Sequence, residues 1–163
     1  MTSPEELEAL VESYCNANSL VVESCLGVGT QGSVFSVSTL QGIRLAVKFH
    51  DWDVAYIRER NIYMRLNELS LSEVRDHEIP QLVAYDDALL AIEMTIVSPP
   101  FCLDFGGAYL DRRPDYSPEV RADWRKQKSD AFETNWPKVK KILSEFELHG
   151  IYIADVNPGN IRF

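Results

Sequence analysis

Gly27, Gly29 and Gly32 stand in a G-x-G-x-x-G spacing that runs directly into Ser33, Val34 and Phe35. Glycines so spaced let backbone amides approach phosphate oxygens without obstruction by a Cβ. Three readings fit the glycines alone: a dinucleotide-binding turn, a glycine-rich lid over nucleotide phosphates, and a flexible hairpin. The flanks separate them. A dinucleotide turn opens a helix, whereas residues 33–39 are rich in Val, Phe, Ser and Thr and continue as a strand. The Gly-Lys-Ser/Thr sequence of a P-loop is also missing.

Lys48 follows the apolar run Leu45, Ala46, Val47, and a strand-borne cation so close to the glycines can face the same cleft. It could hold phosphate oxygens there; the plainer reading is a solvated lysine. Glu59 favours the first. It precedes Ile62, Tyr63 and Leu66 at i+3, i+4 and i+7, which puts a carboxylate on the apolar face of a helix. A buried carboxylate calls for a cationic partner, and Lys48 is the candidate. Further on, Ile153, Ala154, Asp155, Val156, Asn157, Pro158, Gly159 and Asn160 follow an apolar helix. In isolation, Asp155 and Asn160 read as turn formers beside Pro158 and Gly159.

Taken in order, these pieces resemble the motif set of the eukaryotic-type protein kinase superfamily. Residues 27–34 resemble its glycine-rich loop, 45–48 the strand with the phosphate-binding lysine, and Glu59 the helix glutamate that pairs with that lysine. Residues 92–95 resemble the hinge, where backbone groups of Glu93 and Met94 would bind adenine, and Asp155 with Asn160 the catalytic loop. The resemblance runs from about residue 21 to residue 161. It implies an ATP site built from Gly27, Gly29, Gly32, Val34, Ala46, Lys48, Glu93 and Met94. It also implies catalytic roles for Asp155, Lys48 and Glu59, and Asn160 as a ligand of Mg2+. ATP and Mg2+ are then the cofactors, and an active member would pass the γ-phosphoryl group of ATP to a protein or small-molecule hydroxyl.

The chain departs from the family in two places. Ile153 and Ala154 stand where the family's loop has His and Arg, and Asn157 where many serine/threonine kinases have Lys. More seriously, Phe163 is reached before the point where the family places an Asp-Phe-Gly aspartate, the ligand of the other Mg2+. Asp104, Phe105 and Gly106 spell that tripeptide, but upstream of the loop, where its use demands a permuted topology; the sequence reading is a chance occurrence. Without the second ligand, charge on the transferring group is less neutralised. The alternative function is therefore a catalytically impaired pseudokinase, a binding or regulatory module whose reduced C-lobe seeks a protein partner or a second copy of the chain.

Several elements must position these residues. Ser3, Pro4 and Glu6 predict a capped helix to about Asn18. Strands are expected over 20–28, 33–39, 43–49, 81–85 and 89–97, and a helix over 51–69 capped by Asp51 or Asp53. Pro99 and Pro100 should end the strands, leaving helices that open at Ser117 and near Pro137. The predicted class is α+β: a two-lobe, kinase-like fold with a five-stranded antiparallel N-lobe sheet in residues 1–97 and a reduced helical C-lobe in 98–163.

Composition narrows the partners. A net charge of −9 repels phosphate backbones and anionic membranes, so nucleic acid and membrane are excluded as expected partners and a nucleotide is retained. Residues 1–8 lack the positive start of a leader, and Glu93 interrupts the most apolar run well short of a membrane span. Cys15, Cys25 and Cys102 show no pairing or metal-ligand spacing, and a cytoplasmic location is expected.

Overall fold

The computed structural model describes residues 3–163; Met1 and Thr2, which open the stretch read for a leader, lie outside the described residues. Helix α1 (Pro4–Asn18) starts on a reciprocal cap: Glu6 N donates to Ser3 Oγ at 3.2 Å and Ser3 N to Glu6 Oε2 at 2.8 Å. It ends where Ser19 turns left-handed, at φ 56°. Strands β1 (Leu20–Gly29), β2 (Gly32–Thr39) and β3 (Arg44–His50) follow, then α2 (Asp53–Glu68). Next come β4 (Glu73–Val74), β5 (His77–Glu78), β6 (Leu82–Asp86) and β7 (Ala91–Thr95). The remaining elements are β8 (Phe101–Cys102), β9 (Ala108–Leu110), α3 (Pro118–Phe132), α4 (Trp136–Leu148), β10 (Ile151–Ile153) and β11 (Ile161–Arg162).

A five-stranded antiparallel sheet, in the order β1-β2-β3-β7-β6, is the platform. Strand β3 sits at its centre and is covered on both faces, so its period-two alternation sorts side chains between two environments. Leu45, Val47 and Phe49 join Val11, Tyr14 and Cys15 of α1 in one apolar cluster. Ala46, Lys48 and His50 take the opposite face, toward α2. The same rule divides β7: Ile92 and Met94 share the face of Ala46, while Ala91 packs with α1. Fully burying aliphatic and aromatic side chains of this kind contributes about 1.5–3 kcal/mol each. Both layers are therefore well held.

Helix α2 buries Tyr56, Glu59, Ile62, Tyr63 and Leu66, the one-sided pattern that its spacing predicts. Its start differs from expectation. The N-cap is Trp52, with no side-chain cap, and Asp53 lies inside the first turn, where its Oδ1 accepts from Val54 N at 2.7 Å. Packing of the buried face holds this helix in place of a cap.

The strands also do not stop at Pro100. Strands β8 and β11 pair with each other and with β5 and β4 in a second sheet ordered β11-β8-β5-β4, and β9 pairs with β10. Two- and three-residue ladders carry too little alternation to be legible in a sequence, and only the partner strand defines them. Helix α4 buries Val139, Ile142 and Phe146 against them, and Gly150, at φ 74°, lets the chain turn directly into β10. The whole is an α+β fold: a five-stranded antiparallel sheet with its helices, and a smaller part built from α3, α4 and the short ladders.

Candidate active site

Two ladders bring the chemistry together. Strands β8 and β9 flank residues 103–107, while β10 and β11 flank residues 154–160, and each strand of the first pair bonds antiparallel to one of the second. Two bonds extend the ladders inward: Leu103 N donates to Asn160 O at 2.9 Å and Ala154 N to Gly107 O at 3.2 Å. The segment Asp104, Phe105, Gly106 is thereby clamped alongside the segment that carries Asp155 and Asn160. The reading of that tripeptide as a chance occurrence is corrected here. It lies in the cleft, because strand pairing is indifferent to which segment comes first in the chain.

At the centre, Lys48 Nζ donates to Glu59 Oε2 at 2.7 Å and to Asp104 Oδ1 at 3.0 Å. Lys48 and Glu59 are both buried, and Glu59 Oε2 also lies 2.8 Å from His50 Nε2. Burial alone would drive the Glu59 carboxyl up, but the Lys48 charge and the His50 contact outweigh it and hold it below its ordinary value. Burial would likewise lower Lys48, yet Glu59 and Asp104 keep it above its ordinary value. The ammonium is thus fixed in position and in charge. Asp104 in turn accepts from Gly106 N at 3.4 Å, and its Oδ2 faces Asn160 Nδ2 at 3.4 Å.

A cavity of about 600 Å3 opens above this cluster. The β1–β2 hairpin with Gly27, Gly29 and Gly32 roofs it, Val34, Ala46, Tyr63 and Met94 supply apolar walls, and Lys48, Glu59, Asp104, Asp155 and Asn160 line its polar end. Of the three glycines only Gly32 is demanded by the fold: it has φ 151°, and an added Cβ would run into the Phe49 carbonyl oxygen. At Gly27 a Cβ would meet nothing within 4 Å, so the fold itself leaves room for a side chain there. Gly107 has the opposite constraint, since a Cβ there would lie 2.5 Å from the Asp155 Cβ. The close approach of the two segments depends on that glycine.

The predicted residues thus gather in one place, with one exception. Glu93 points to the other face of β7, where its Oε2 accepts from Tyr14 Oη at 2.9 Å, and its backbone lies within the ladders to β3 and β6. The chain leaves the sheet and lines the cavity at Ile96 and Val97, beyond Met94. Met94 itself lines the cavity together with Thr95, Ile96 and Val97, so of the two residues expected there only Glu93 turns its side chain away. Asn157, read as a substitute for a lysine, is a turn builder: its Oδ1 accepts from Gly159 N at 2.8 Å and Asn160 N at 3.2 Å.

Sequence reasoning missed His50 and Asp104. A signal existed for each: His50 lies two residues after Lys48 and so on the same strand face, and Asp104 opens the very tripeptide whose absence was counted against the site. Among the described residues no group of three or more His, Cys, Asp or Glu side chains could hold a metal on its own. The Asp104 carboxylate and Asn160 amide suit a hard cation that takes few protein ligands and completes its shell with phosphate oxygens and water.

No protein-family model and no curated protein matches the chain. Among solved structures it is similar to the Rio2 kinase from Chaetomium thermophilum. One crystal structure of that kinase, an ADP/Mg2+-phosphoaspartate complex, aligns at 17% identity and a TM-score of 0.44, covering 80% of this chain and 45% of the other. A second aligns at 17% identity and a TM-score of 0.46, covering 77% of this chain and 44% of the other. The chain spans less than half the length of these structures.

Proposed function

We propose that this protein is a phosphotransferase of the protein-kinase type, which binds ATP with Mg2+ in the cleft and passes the γ-phosphoryl group to a hydroxyl. One observation carries the reading: Lys48 is held between Glu59 and Asp104 beneath a glycine hairpin, with Asn160 in contact with Asp104. Phosphoryl transfer asks the protein chiefly for positioning and charge neutralisation, and this arrangement offers both.

In this reading Lys48 binds the phosphates, aimed by Glu59, which His50 steadies from its other side. Amides of the hairpin at Gly27 and Gly29 approach the phosphates, and the base lies between Ala46, Val34 and Met94, against the backbone at Ile96 and Val97. Asp155, exposed and free to meet an acceptor, takes or orients the proton of the attacking hydroxyl. Asp104 and Asn160 are the residues that would hold Mg2+, which would supply neutralisation of the charge that develops on the transferring group. Asp104 then does the work that the family assigns to an aspartate downstream of the loop, in a chain whose segments are permuted. The impaired-module alternative rested on the lack of that aspartate and on the reduced C-lobe; the 3.0 Å contact between Asp104 and Lys48 answers the first of these and favours the active reading.

The free cysteines, of which Cys15 and Cys102 are buried, fit a reducing compartment, and we place the protein in the cytoplasm on that basis. No helix among the described residues is long and apolar enough to cross a membrane.

Calorimetric titration with ATP in the presence and absence of Mg2+, together with release of labelled phosphate from γ-labelled ATP, tests the reading. Binding that Mg2+ strengthens and Lys48→Ala abolishes is expected; no heat with either form would refute it.

A further inference from the structure

A second cavity, of about 520 Å3, lies between α3, α4 and β10. The strand that ends β10 divides it from the first: Ile153 and Ala154 line the second cavity, and Asp155, the next residue, lines the first. Its volume is within the range of small-molecule sites.

The charge of this cavity runs against that of the protein. The chain carries a net −9, yet the charged lining consists of the cations Arg113, Arg121, Arg125 and Lys140 and a single carboxylate, Glu147. That carboxylate is engaged, its Oε2 accepting from Arg113 Nη2 at 2.5 Å. Arg125 and Lys140 are exposed to solvent. Arg121 is different. Its Nε is buried and has no hydrogen-bond partner among the described residues. A guanidinium N–H removed from water without an acceptor is unfavourable, and an anionic oxygen brought by a ligand would relieve it.

The remaining walls are flat and aromatic. Trp124 and Trp136 meet edge to face with ring centroids 6.1 Å apart, and Trp124 Nε1 donates to Ala154 O at 3.0 Å, which fixes its ring against the loop that carries Asp155. Tyr152 adds a third ring beneath Arg113, at 5.6 Å. Rigid indole faces beside unneutralised guanidinium groups recognise an anion attached to a planar apolar body.

We propose that this cavity is a binding site for a small molecule that presents a phosphate or carboxylate on a planar apolar group, with Arg121 and Arg125 taking the anion and Trp124 and Trp136 the ring. The site is separate from the nucleotide cleft and stands whether or not that cleft binds ATP.

The chain has three tryptophans, which makes 15N-indole NMR a direct test, with Trp52 outside the cavity as the internal control. Phenyl phosphate, benzoate and phenol are titrated in parallel. Saturable shifts of Trp124 and Trp136 with phenyl phosphate or benzoate are expected, with Trp52 unmoved and phenol at least tenfold weaker; the tighter of the two anions identifies the group recognised. Arg121→Gln and Arg125→Gln should each weaken binding tenfold or more, the second variant deciding the matter if the first does not fold. Saturating Mg-ATP should leave the shifts in place. Equal shifts with phenol, movement of all three indoles together, displacement by Mg-ATP, or wild-type affinity in Arg125→Gln would each overturn the proposal.

Discussion

Asn160 Nδ2 lies 3.4 Å from Asp104 Oδ2 across a separation of 56 residues, and the contact is made by two short antiparallel ladders, not by any local motif. The acid and amide of the proposed metal pair therefore come from segments whose order along the chain is the reverse of that in the resembled family.

That relationship makes Asp104→Asn informative. The variant keeps the shape and loses the charge, so ATP should still bind while the enhancement by Mg2+ disappears, and phosphoryl transfer should fall by at least two orders of magnitude, about 2.7 kcal/mol. Titrations with and without Mg2+ measure both. Retention of the Mg2+ effect would remove Asp104 from the metal site.

Lys48→Met tests the phosphate contact. A ligand at a hundredfold its Kd stabilises the folded state by about 2.7 kcal/mol, which in a chain of this size raises Tm by several degrees. Wild-type protein should show that rise with Mg-ATP, and the variant should show none. The variant should also melt lower without ligand, because Glu59 is 1% exposed and, among the described residues, keeps His50 alone as a side-chain partner. An undiminished ligand-induced rise in Lys48→Met would contradict the assigned role.

Glu59 predicts a particular pH dependence. Its carboxyl is held below the ordinary value in the folded state, so its contribution to stability is complete above the unfolded value of about 4.3 and is lost as pH falls through the lower folded value. Glu59→Gln should cost about 3–5 kcal/mol at neutral pH, the loss typical of breaking a buried pair. Below about pH 4.3 wild type should lose stability more steeply than the variant, and the two curves should converge. Urea midpoints between pH 3 and 7 provide the comparison, and parallel curves would disprove the linkage.

The hairpin glycines should separate into two kinds. Gly32→Ala places a Cβ against the Phe49 carbonyl oxygen and should destabilise the fold by about 1–3 kcal/mol. Gly27→Ala meets nothing within 4 Å and should change stability by less than about 0.5 kcal/mol, while weakening ATP several-fold by standing between the amides and the phosphates. Equal effects of the two on melting would count against the hairpin as a phosphate lid.

Much of this could be read from the chain itself, because its determinants are local. The cap at Ser3, the period-two run through Leu45 to Lys48, and Glu59 on the apolar stripe of α2 each lie within a few residues of what specifies them. Those patterns determined the sheet, the helix and the expectation that an acid would seek Lys48. Which of two adjacent residues faces the cleft was harder: Glu93 and Met94 are separated by alternation alone, and the face is assigned only once α1 covers one side.

The sequence by itself determined the residue types of the site and the elements that carry most of them. Only the tertiary structure decided that Asp104 belongs with them, that His50 shares the Glu59 carboxylate, and that Arg121 is left with a buried N–H beside two indoles. Each of these depends on pairing between distant segments through ladders of two or three residues. Such ladders are stabilised by the partner strand and the layer above, not by the propensity of their own few residues, so no pattern within either segment announces them.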